Sequence, residues 1–383
     1  MNTKKQPRIT IAGAGFAALS GARELRRRLP DAEITLLAPQ PWFTYLPSLI
    51  WVPYGIRKAD DLRFDIRPLL RKLGVGYRQA AATGLSGDGR MLQTDEGDVE
   101  NDALLIATGG RYIRKLPGIE NTITICEGIE AAENMGRRLH ELDGGTIAMG
   151  FGGNPKEPSA MRGGPMFELL FGLDTWLRKQ GRRDRFRLVF FTPAPQPGKR
   201  LGQNAVKRMI GEMERRGIET HLGHKLKSFE NHVVTTEGGE IPADLIMFMP
   251  GMTGPAWIQG SPLPLSPGGM IRAEATAAVV GLERVYVAGD AGSFPGPDWM
   301  PKQAHMADLQ ATAAARNIAL NLDGKPATET FKVELLCIID SLEKGILVYR
   351  GEKRSLALPS MRALHWTKRI FERIYLRHLR AAG

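Results

Sequence analysis

Cysteine is scarce in this chain, whose 383 residues include two, Cys126 and Cys337. So few thiols exclude a disulfide framework and a cysteine-rich metal site, and no metal centre is predicted. Long apolar runs are also missing: no stretch approaches the roughly 18 residues that cross a bilayer, and the N-terminus has no signal-type apolar segment. We therefore expect a soluble or peripheral cytoplasmic protein.

Acidic residues are outnumbered by basic ones, which gives a formal net charge of +11. Such an excess favours an anionic partner, either a membrane surface or nucleic acid. The sequence contains no zinc-finger spacing, aromatic–basic RNA motif or helix-turn-helix pattern, so no nucleic-acid partner is expected. With 43% hydrophobic residues, a chain of this length can bury two cores.

A glycine turn near the N-terminus is the first motif that carries chemistry. The segment Gly13–Ala18 follows an apolar strand pattern and precedes a helix pattern. Gly13 permits a tight turn, Gly15 lets backbone amides approach a pyrophosphate, and Ala18 lets helix and strand pack closely. The start of the helix offers unpaired N–H groups to the phosphates. The turn predicts a dinucleotide site.

A second motif, near the other end of the chain, indicates which dinucleotide is bound. A short apolar strand pattern, Val285–Ala288, runs directly into Gly289 and Asp290. FAD enzymes use an aspartate in this context to bind the ribityl and phosphate end of the flavin. The two motifs together predict FAD.

The intervening segments fit this cofactor, with one departure. The second strand pattern, Glu33–Ala38, ends without the acidic residue that usually binds the adenosine ribose, so we expect Gln40, backbone or water to hold it. A further strand pattern runs into Thr108 and Gly109, a turn with which many flavoproteins return to the FAD.

Strand and helix patterns alternate along the chain, which predicts an α/β fold with two Rossmann-like dinucleotide-binding domains and a small C-terminal extension. The predicted parts are residues 1–112 and 245–320 for a discontinuous FAD-binding domain, 113–244 for a second domain, and 321–383 for the C-terminal region.

The second domain lacks the features of a nicotinamide nucleotide site. After its first strand the sequence contains Pro155 and Pro158 where a helix would have to donate backbone amides, and proline has no N–H. The next strand pattern, Arg187–Thr192, ends without an acidic residue for an NAD ribose. We expect the domain to keep the nucleotide-binding shape without the ligand. An unusual NAD site supported by the glycines between Gly150 and Gly153 stays open as an alternative.

At this point the chain resembles the sulfide:quinone oxidoreductase and flavocytochrome c sulfide dehydrogenase group, relatives of type II NADH dehydrogenases. The blocks that carry the resemblance are Trp42–Ser48, Thr108–Gly109, Ile125–Glu127, Met166–Phe171, Pro301–Met306, Cys337–Asp340 and Val348–Arg350. The match covers most of the chain.

The resemblance implies a set of residues around the cofactor. Lys302, Gln303 and Ala304 would open a helix whose dipole faces the flavin pyrimidine edge and stabilises the anionic reduced form. The other residues implied to bind FAD are Gly13, Gly15, Phe16, Ala17, Ala18, Gln40, Pro47, Ala82, Thr108, Gly109, Gly289 and Asp290.

The resemblance also implies catalytic residues, namely Cys337, Cys126 and the carboxylate Glu168. Relatives pair a cysteine at the position of Cys337 with a second one, whose place here holds Met161 or Arg162. Three hypotheses remain open. Cys126 and Cys337 pair with each other, Cys337 acts alone as a thiolate activated by positive surroundings, or another reductant feeds the flavin. Cys126 also matches a cysteine that bonds the flavin in some relatives, so covalent and non-covalent FAD both stay open.

The C-terminal segment from Met361 onward has the pattern of a basic amphipathic helix, with Leu364, Ile370, Phe371, Ile374 and Tyr375 predicted on one face. Such a helix is typical of an anionic membrane surface. Docking on its own protein or on the partner in a homodimer is the alternative. The resemblance places a quinone pocket here, for which the candidates are Leu335, Ile338, Ile346, Val348 and Trp366.

We therefore predict a peripheral membrane FAD enzyme that passes electrons from a small sulfur compound to quinone. The alternatives are a type II NADH:quinone oxidoreductase, a flavocytochrome-type subunit and a flavin-binding protein that no longer turns over.

Overall fold

Parallel strands with helices between them form most of the chain, as the alternating patterns predict. The computed structural model describes residues 6–380, apart from the side chain of Cys126. The described strands are β1 (Arg8–Ala12), β2 (Glu33–Ala38), β3 (Trp42–Thr44), β4 (Arg63–Asp65), β5 (Gly76–Gln79), β6 (Ala82–Leu85), β7 (Met91–Thr94), β8 (Val99–Glu100), β9 (Ala103–Ile106), β10 (Arg111–Tyr112), β11 (Gly145–Phe151), β12 (Phe186–Thr192), β13 (Glu219–Leu222), β14 (Leu226–Glu230), β15 (Val233–Thr236), β16 (Gly239–Pro242), β17 (Leu245–Met249), β18 (Met252–Thr253), β19 (Ile271–Arg272), β20 (Val285–Val287), β21 (Gly292–Ser293), β22 (Leu335–Asp340), β23 (Gly345–Arg350) and β24 (Ser355–Ala357). The described α-helices are α1 (Phe16–Arg28), α2 (Ala59–Leu62), α3 (Arg67–Lys72), α4 (Ile129–Glu141), α5 (Gly164–Lys179), α6 (Gln203–Arg215), α7 (Ala304–Leu322) and α8 (Arg362–Arg380).

The first sheet has the order β20-β9-β1-β2-β5, and all its neighbouring strands are parallel. Its strands are apolar on both faces, as expected of a buried parallel sheet. Leu105 packs into the core beneath α1 and α7, while Leu104 and Ile106 pack into the core on the opposite face. Gly21 of α1 allows close contact, because a Cβ there would lie 2.4 Å from the Leu105 side chain.

The second sheet has the order β13-β12-β11-β17, again with parallel neighbours. These two sheets confirm the predicted fold class. One predicted boundary is wrong, because residues 245–249 form β17, which pairs with β11 in the second sheet rather than with the FAD-binding domain. A local apolar pattern identifies a strand but does not say which sheet it joins.

A third layer comes from the C-terminal region, where β22, β23 and β24 form an antiparallel sheet. Helix α5 packs against β22, and α8 packs against β22 and β23. The C-terminal region therefore lies against α5, which brings distant parts of the sequence together at one place.

Candidate active site

The predicted FAD residues gather at one edge of the first sheet. Gly13 follows β1, Gln40 lies two residues beyond β2, Thr108 lies two residues beyond β9, and Gly289 and Asp290 follow β20 closely. Because the strands are parallel, their carboxyl ends meet at the same edge, which is where α/β sheets bind ligands.

The glycine turn has the shape that a pyrophosphate requires. Gly13 has a φ of 125°, and a Cβ there would lie 2.2 Å from the carbonyl oxygen of Ala107, so the position requires glycine. A Cβ on Gly15 would meet no atom within 4 Å, which leaves open space above the turn. Among the described residues no side chain caps the start of α1, so its first amides remain for a phosphate.

The start of α7 provides a second polar edge. Gln303 is the N-cap residue and Ala304 begins the helix, as predicted. Within the described residues the Gln303 Oε1 atom is buried without a hydrogen-bond partner. Lys302 is buried, and its Nζ donates to the carbonyl oxygen of Gly292. Burial lowers the pKa of Lys302 to about 8.

Gly289, Asp290, Lys302 and Gln303 line a common pocket. An orphaned amide oxygen, a cation and a helix start suit the polar edge of a flavin ring. The residues present therefore fit FAD, which supplies the ability to accept an electron pair and pass it on.

Four of the predicted FAD residues have a place in the fold that does not involve the cofactor. Thr108 accepts a hydrogen bond from Trp257 Nε1 at 3.1 Å. The Phe16 ring lies 4.9 Å from that of Phe43 between ring centroids. Pro47 belongs to a 3-10 helix, and Ala82 begins β6. Their contact with FAD stays a prediction.

Asp290 has an ion-pair partner that the sequence did not suggest. Arg162 NH2 contacts the Asp290 carboxylate, and the two side chains are 17% and 13% exposed. Arg162 comes from the loop between β11 and α5, so the second domain contributes a cation to the FAD-binding edge.

Cys337 lies where α5, β22 and α8 meet. Glu168 is buried on α5, and Lys368 of α8 donates both to the Glu168 carboxylate and, at 3.3 Å, to the carbonyl oxygen of Ile338. A Cβ built on Gly164 would lie 4.0 Å from Cys337 Sγ. Gly164 therefore lies close to the thiol.

The electrostatics of this cluster follow from its burial. Burial raises the pKa of Glu168 to about 7, and the positive charge of Lys368 opposes the rise. Burial and the neighbouring Glu168 raise the pKa of Cys337 to about 12, so the thiol keeps its proton at neutral pH. The positive charge of Lys368 opposes this rise in the pKa of Cys337, and activation of the thiol by positive surroundings stays a prediction. The side chain of Cys126 lies outside the described residues, which leaves its pairing a prediction.

The loop that would hold a nicotinamide nucleotide is committed to other contacts. Helix α5 starts at Gly164, well beyond the end of β11 at Phe151. In between, Asn154 Nδ2 donates to the carbonyl oxygens of Met252, at 2.9 Å, and Gly268, at 3.0 Å. A phosphate-binding turn requires helix amides directly after the strand, and the amides of α5 do not meet this requirement.

Helix α8 is bound to the protein through its polar side. His365 Nδ1 lies 2.7 Å from the Asp340 carboxylate, and Glu372 is paired with Arg57 at 2.7 Å. Together with Lys368, these residues occupy the inner face.

Apolar residues of α8 point outward. Trp366, Ile370, Phe371 and Ile374 are 57%, 53%, 61% and 61% exposed. Leu364 is buried, and Tyr375 packs against Phe16, so these two do not share that face as predicted.

The residues predicted to line a quinone pocket differ in burial, and their contact with a quinone stays a prediction. Leu335, Ile346 and Val348 are buried in the core. Their exposed neighbour Leu336 points to the other side of β22 and is 50% accessible. Side chains alternate between the two faces of a strand, and the sequence alone did not say which face is covered.

A glycine turn, a strand ending in Gly-Asp and two parallel sheets define a FAD-dependent oxidoreductase with two Rossmann-like domains. The chain belongs to the pyridine nucleotide-disulphide oxidoreductase family, whose model matches residues 7–311. FAD is its cofactor.

Similarity to individual proteins extends over nearly the whole chain. The chain is 26% identical to the sulfide-quinone reductase of Aquifex aeolicus, over 96% of this chain and 90% of that protein. The crystal structure of the Aquifex aeolicus sulfide:quinone oxidoreductase superposes with a TM-score of 0.90 at 25% identity, covering 98% of this chain and 92% of the other. A type II NADH:quinone oxidoreductase of Staphylococcus saprophyticus is 19% identical over 95% of both chains.

Proposed function

We propose that this flavoenzyme oxidises a small sulfur compound and reduces a quinone at a membrane surface. The observation that carries the proposal is the cluster of Cys337, Glu168 and Lys368, which brings a thiol, a titratable carboxyl and a cation together. Similarity to a sulfide-quinone reductase supports the same pair of substrates.

Cys337 is the residue proposed to bond the donor sulfur as a persulfide, and FAD, when bound, would accept the electron pair that formation of this S–S bond releases. Its thiol lies on β22 beside Glu168, whose carboxylate can take the thiol proton once Lys368 compensates the charge. With glycine at position 164, the facing position offers no sulfur for an internal disulfide. Donor chemistry at this site therefore depends on one described thiol rather than on a pair.

The quinone is proposed to bind on the outer side of the same cluster. Leu336 and Phe371 are exposed apolar side chains, and Phe371 lies one helical turn after Lys368 on α8. Reduction of a quinone by an electron pair also needs protons. Glu168, with a pKa of about 7, can deliver one at neutral pH.

Helix α8 is proposed to lie on an anionic membrane. Its exposed apolar residues are flanked by Arg373 and Arg377, which are also exposed. Each basic side chain near such a surface adds about 1 kcal/mol. Among residues 6–380, no helix combines the length and apolar character of a membrane span. Peripheral attachment on the cytoplasmic side and a homodimer stay predictions.

Type II NADH:quinone reduction is the main competing function, and the Staphylococcus relative favours it. The contacts of the loop 152–163 argue against NADH as the donor. Besides Asn154, Glu157 accepts hydrogen bonds from Ser266 at 2.6 Å and Ser293 at 3.2 Å. These contacts hold the loop against the FAD-binding domain, where a nicotinamide would approach the flavin.

The proposal is tested by anaerobic mixing of the purified protein with sulfide, followed by a soluble quinone analogue. Flavin absorbance should fall with sulfide and return with the quinone. The Cys337→Ser variant should bind FAD normally but lose reduction by sulfide. A wild-type flavin that no sulfur donor reduces, while dithionite does, would favour the non-catalytic alternative.

A further inference from the structure

Arg162, in the loop between β11 and α5, contacts the aspartate predicted to bind FAD. Its guanidinium is paired with Asp290, and both side chains are mostly buried. The loop that carries Arg162 is fixed on both sides of the cleft. Met252 N donates to the carbonyl oxygen of Ala160 at 2.8 Å, and Arg200 donates to the carbonyl oxygen of Ser159 at 3.3 Å.

The charges around this pair are nearly balanced. Asp290 and Glu157 raise the pKa of Lys302, while Arg200 and Arg162 lower it. These five charged side chains therefore lie in one polar region. Lys302 is itself buried, and burial brings its pKa down to about 8. Arginine stays charged at any ordinary pH. Arg162 is therefore the permanent positive charge that offsets the Asp290 carboxylate.

Asp290 lies beside the cavity lined by Lys302 and Gln303, the residues expected at the flavin ring. Reduced flavin is an anion at neutral pH, so a negative charge nearby disfavours reduction and a positive one favours it. An unpaired carboxylate at position 290 would oppose the reduction that the enzyme depends on.

We propose that Arg162 is a positioning residue that acts through Asp290: by neutralising this carboxylate, it raises the reduction potential of the bound FAD. The inference requires that FAD binds at the predicted edge and does not depend on the identity of the donor or the acceptor. It also gives a physical role to a residue that stands in the loop where relatives carry a redox cysteine.

Redox titration of the holoproteins against reference dyes tests the proposal without any substrate. Arg162→Met should shift the reduction equilibrium about tenfold against reduced flavin, which is about 30 mV for an electron pair. Asp290→Asn should shift it in the opposite direction, because Arg162 is then uncompensated. The double variant should return to within about twofold of wild type.

Two further variants separate the charge effect from a structural one. Arg162→Lys keeps the charge and should stay close to the wild-type potential. Arg187→Met breaks an exposed ion pair with Glu219 on the second sheet and should leave the potential unchanged. The FAD dissociation constant of each variant is measured in parallel.

A merely structural ion pair predicts a different pattern. Both single variants would then lose FAD affinity or stability, and their potentials would move in the same direction or not at all. Either of those outcomes overturns the proposal. If Arg162→Met does not retain FAD, two other variants test the proposal. The reduction potential should then rise in Asp290→Asn and stay unchanged in Arg162→Lys.

Discussion

Gly164 faces Cys337 across the junction of α5 and β22: a Cβ on Gly164 would lie 4.0 Å from the Cys337 sulfur. Gly164 is the first residue of α5, and Glu168 follows one turn later on the same face. A glycine therefore occupies a position next to the Cys337 thiol.

Replacing Gly164 by cysteine should supply the missing partner. The built Cβ lies 4.0 Å from the Cys337 sulfur, so a small shift of the helix start would bring a sulfur at position 164 into bonding range. We expect Gly164→Cys to form a disulfide with Cys337 on oxidation, as counted by free thiols. Flavin reduction by sulfide should then accelerate further, by about tenfold or more, because hydrosulfide attacks a disulfide directly, whereas a neutral thiol must first lose its proton.

Gly164→Ser is the matched control, since serine has nearly the same size but no sulfur. It should leave the rate at the wild-type level. A disulfide that forms without any gain in rate would mean that reaction at the Cys337 sulfur does not limit flavin reduction by sulfide.

Glu168 should control the pH dependence of quinone reduction. Burial raises its pKa to about 7, so it is protonated below that pH and can donate a proton. The rate should fall as the pH rises through about 7. In Glu168→Gln this fall with pH should disappear, and the rate itself should be about 10²-fold lower. Steady-state assays between pH 6 and 8 measure both effects.

Lys368→Met provides the complementary test. The Lys368 charge holds the pKa of Glu168 down, so its removal should move the fall in rate to higher pH. If the rate of Glu168→Gln still falls as the pH rises through about 7, another group is responsible for the pH dependence.

The exposed face of α8 should determine membrane binding. Changing Phe371 and Ile374 together to serine removes two side chains that are each 61% exposed, and leaves the inner contacts of α8 intact. Binding to phosphatidylserine-containing vesicles should weaken on the order of tenfold or more. Leu356→Ser, an exposed apolar residue on β24, should bind as the wild type does. Equal vesicle binding by the wild type, the double variant and Leu356→Ser would mean that the exposed face of α8 does not bind the membrane.

Asp308 should make stability depend on pH. It lies between α1 and α8, where it accepts hydrogen bonds from Ser20 at 2.6 Å and Tyr375 at 3.3 Å, with Arg23 and His305 as the charged neighbours. Burial raises its pKa to about 6. The folded state therefore holds a proton that the unfolded state has already released, and stability falls as the pH rises from about 4 to 6.

Asp308→Asn should flatten this part of the stability curve. The melting temperature of the holoprotein, measured at several pH values, gives the comparison with wild type. An unchanged slope between pH 4 and 6 would contradict the assignment.

Much of the FAD edge could be predicted because its signals are local. Gly13 and the Gly289–Asp290 pair each follow an apolar strand, and parallel strands place their ends together. The Glu168–Lys368 contact could not be predicted, because 200 residues separate the two side chains and no local pattern links them. The same reason applies to Arg162 and Asp290.

The amphipathic character of α8 was evident from its sequence, but its orientation was not. The helix turns His365, Lys368 and Glu372 toward charged partners and exposes Trp366, Ile370, Phe371 and Ile374, while Leu364, Leu376 and Leu379 are buried. Periodicity identifies two faces of a helix, whereas only the partners on the folded protein decide which face is inside.

The central claim is that electrons enter from the Cys337 side and not from a nicotinamide nucleotide. Rapid anaerobic mixing of the oxidised holoprotein with NADH, NADPH or sulfide, followed by flavin absorbance, tests it most directly. The account predicts fast bleaching by sulfide, recovery on addition of a quinone analogue, and no bleaching by either nucleotide on the same timescale. Fast bleaching by NADH or NADPH, with none by sulfide, would contradict it.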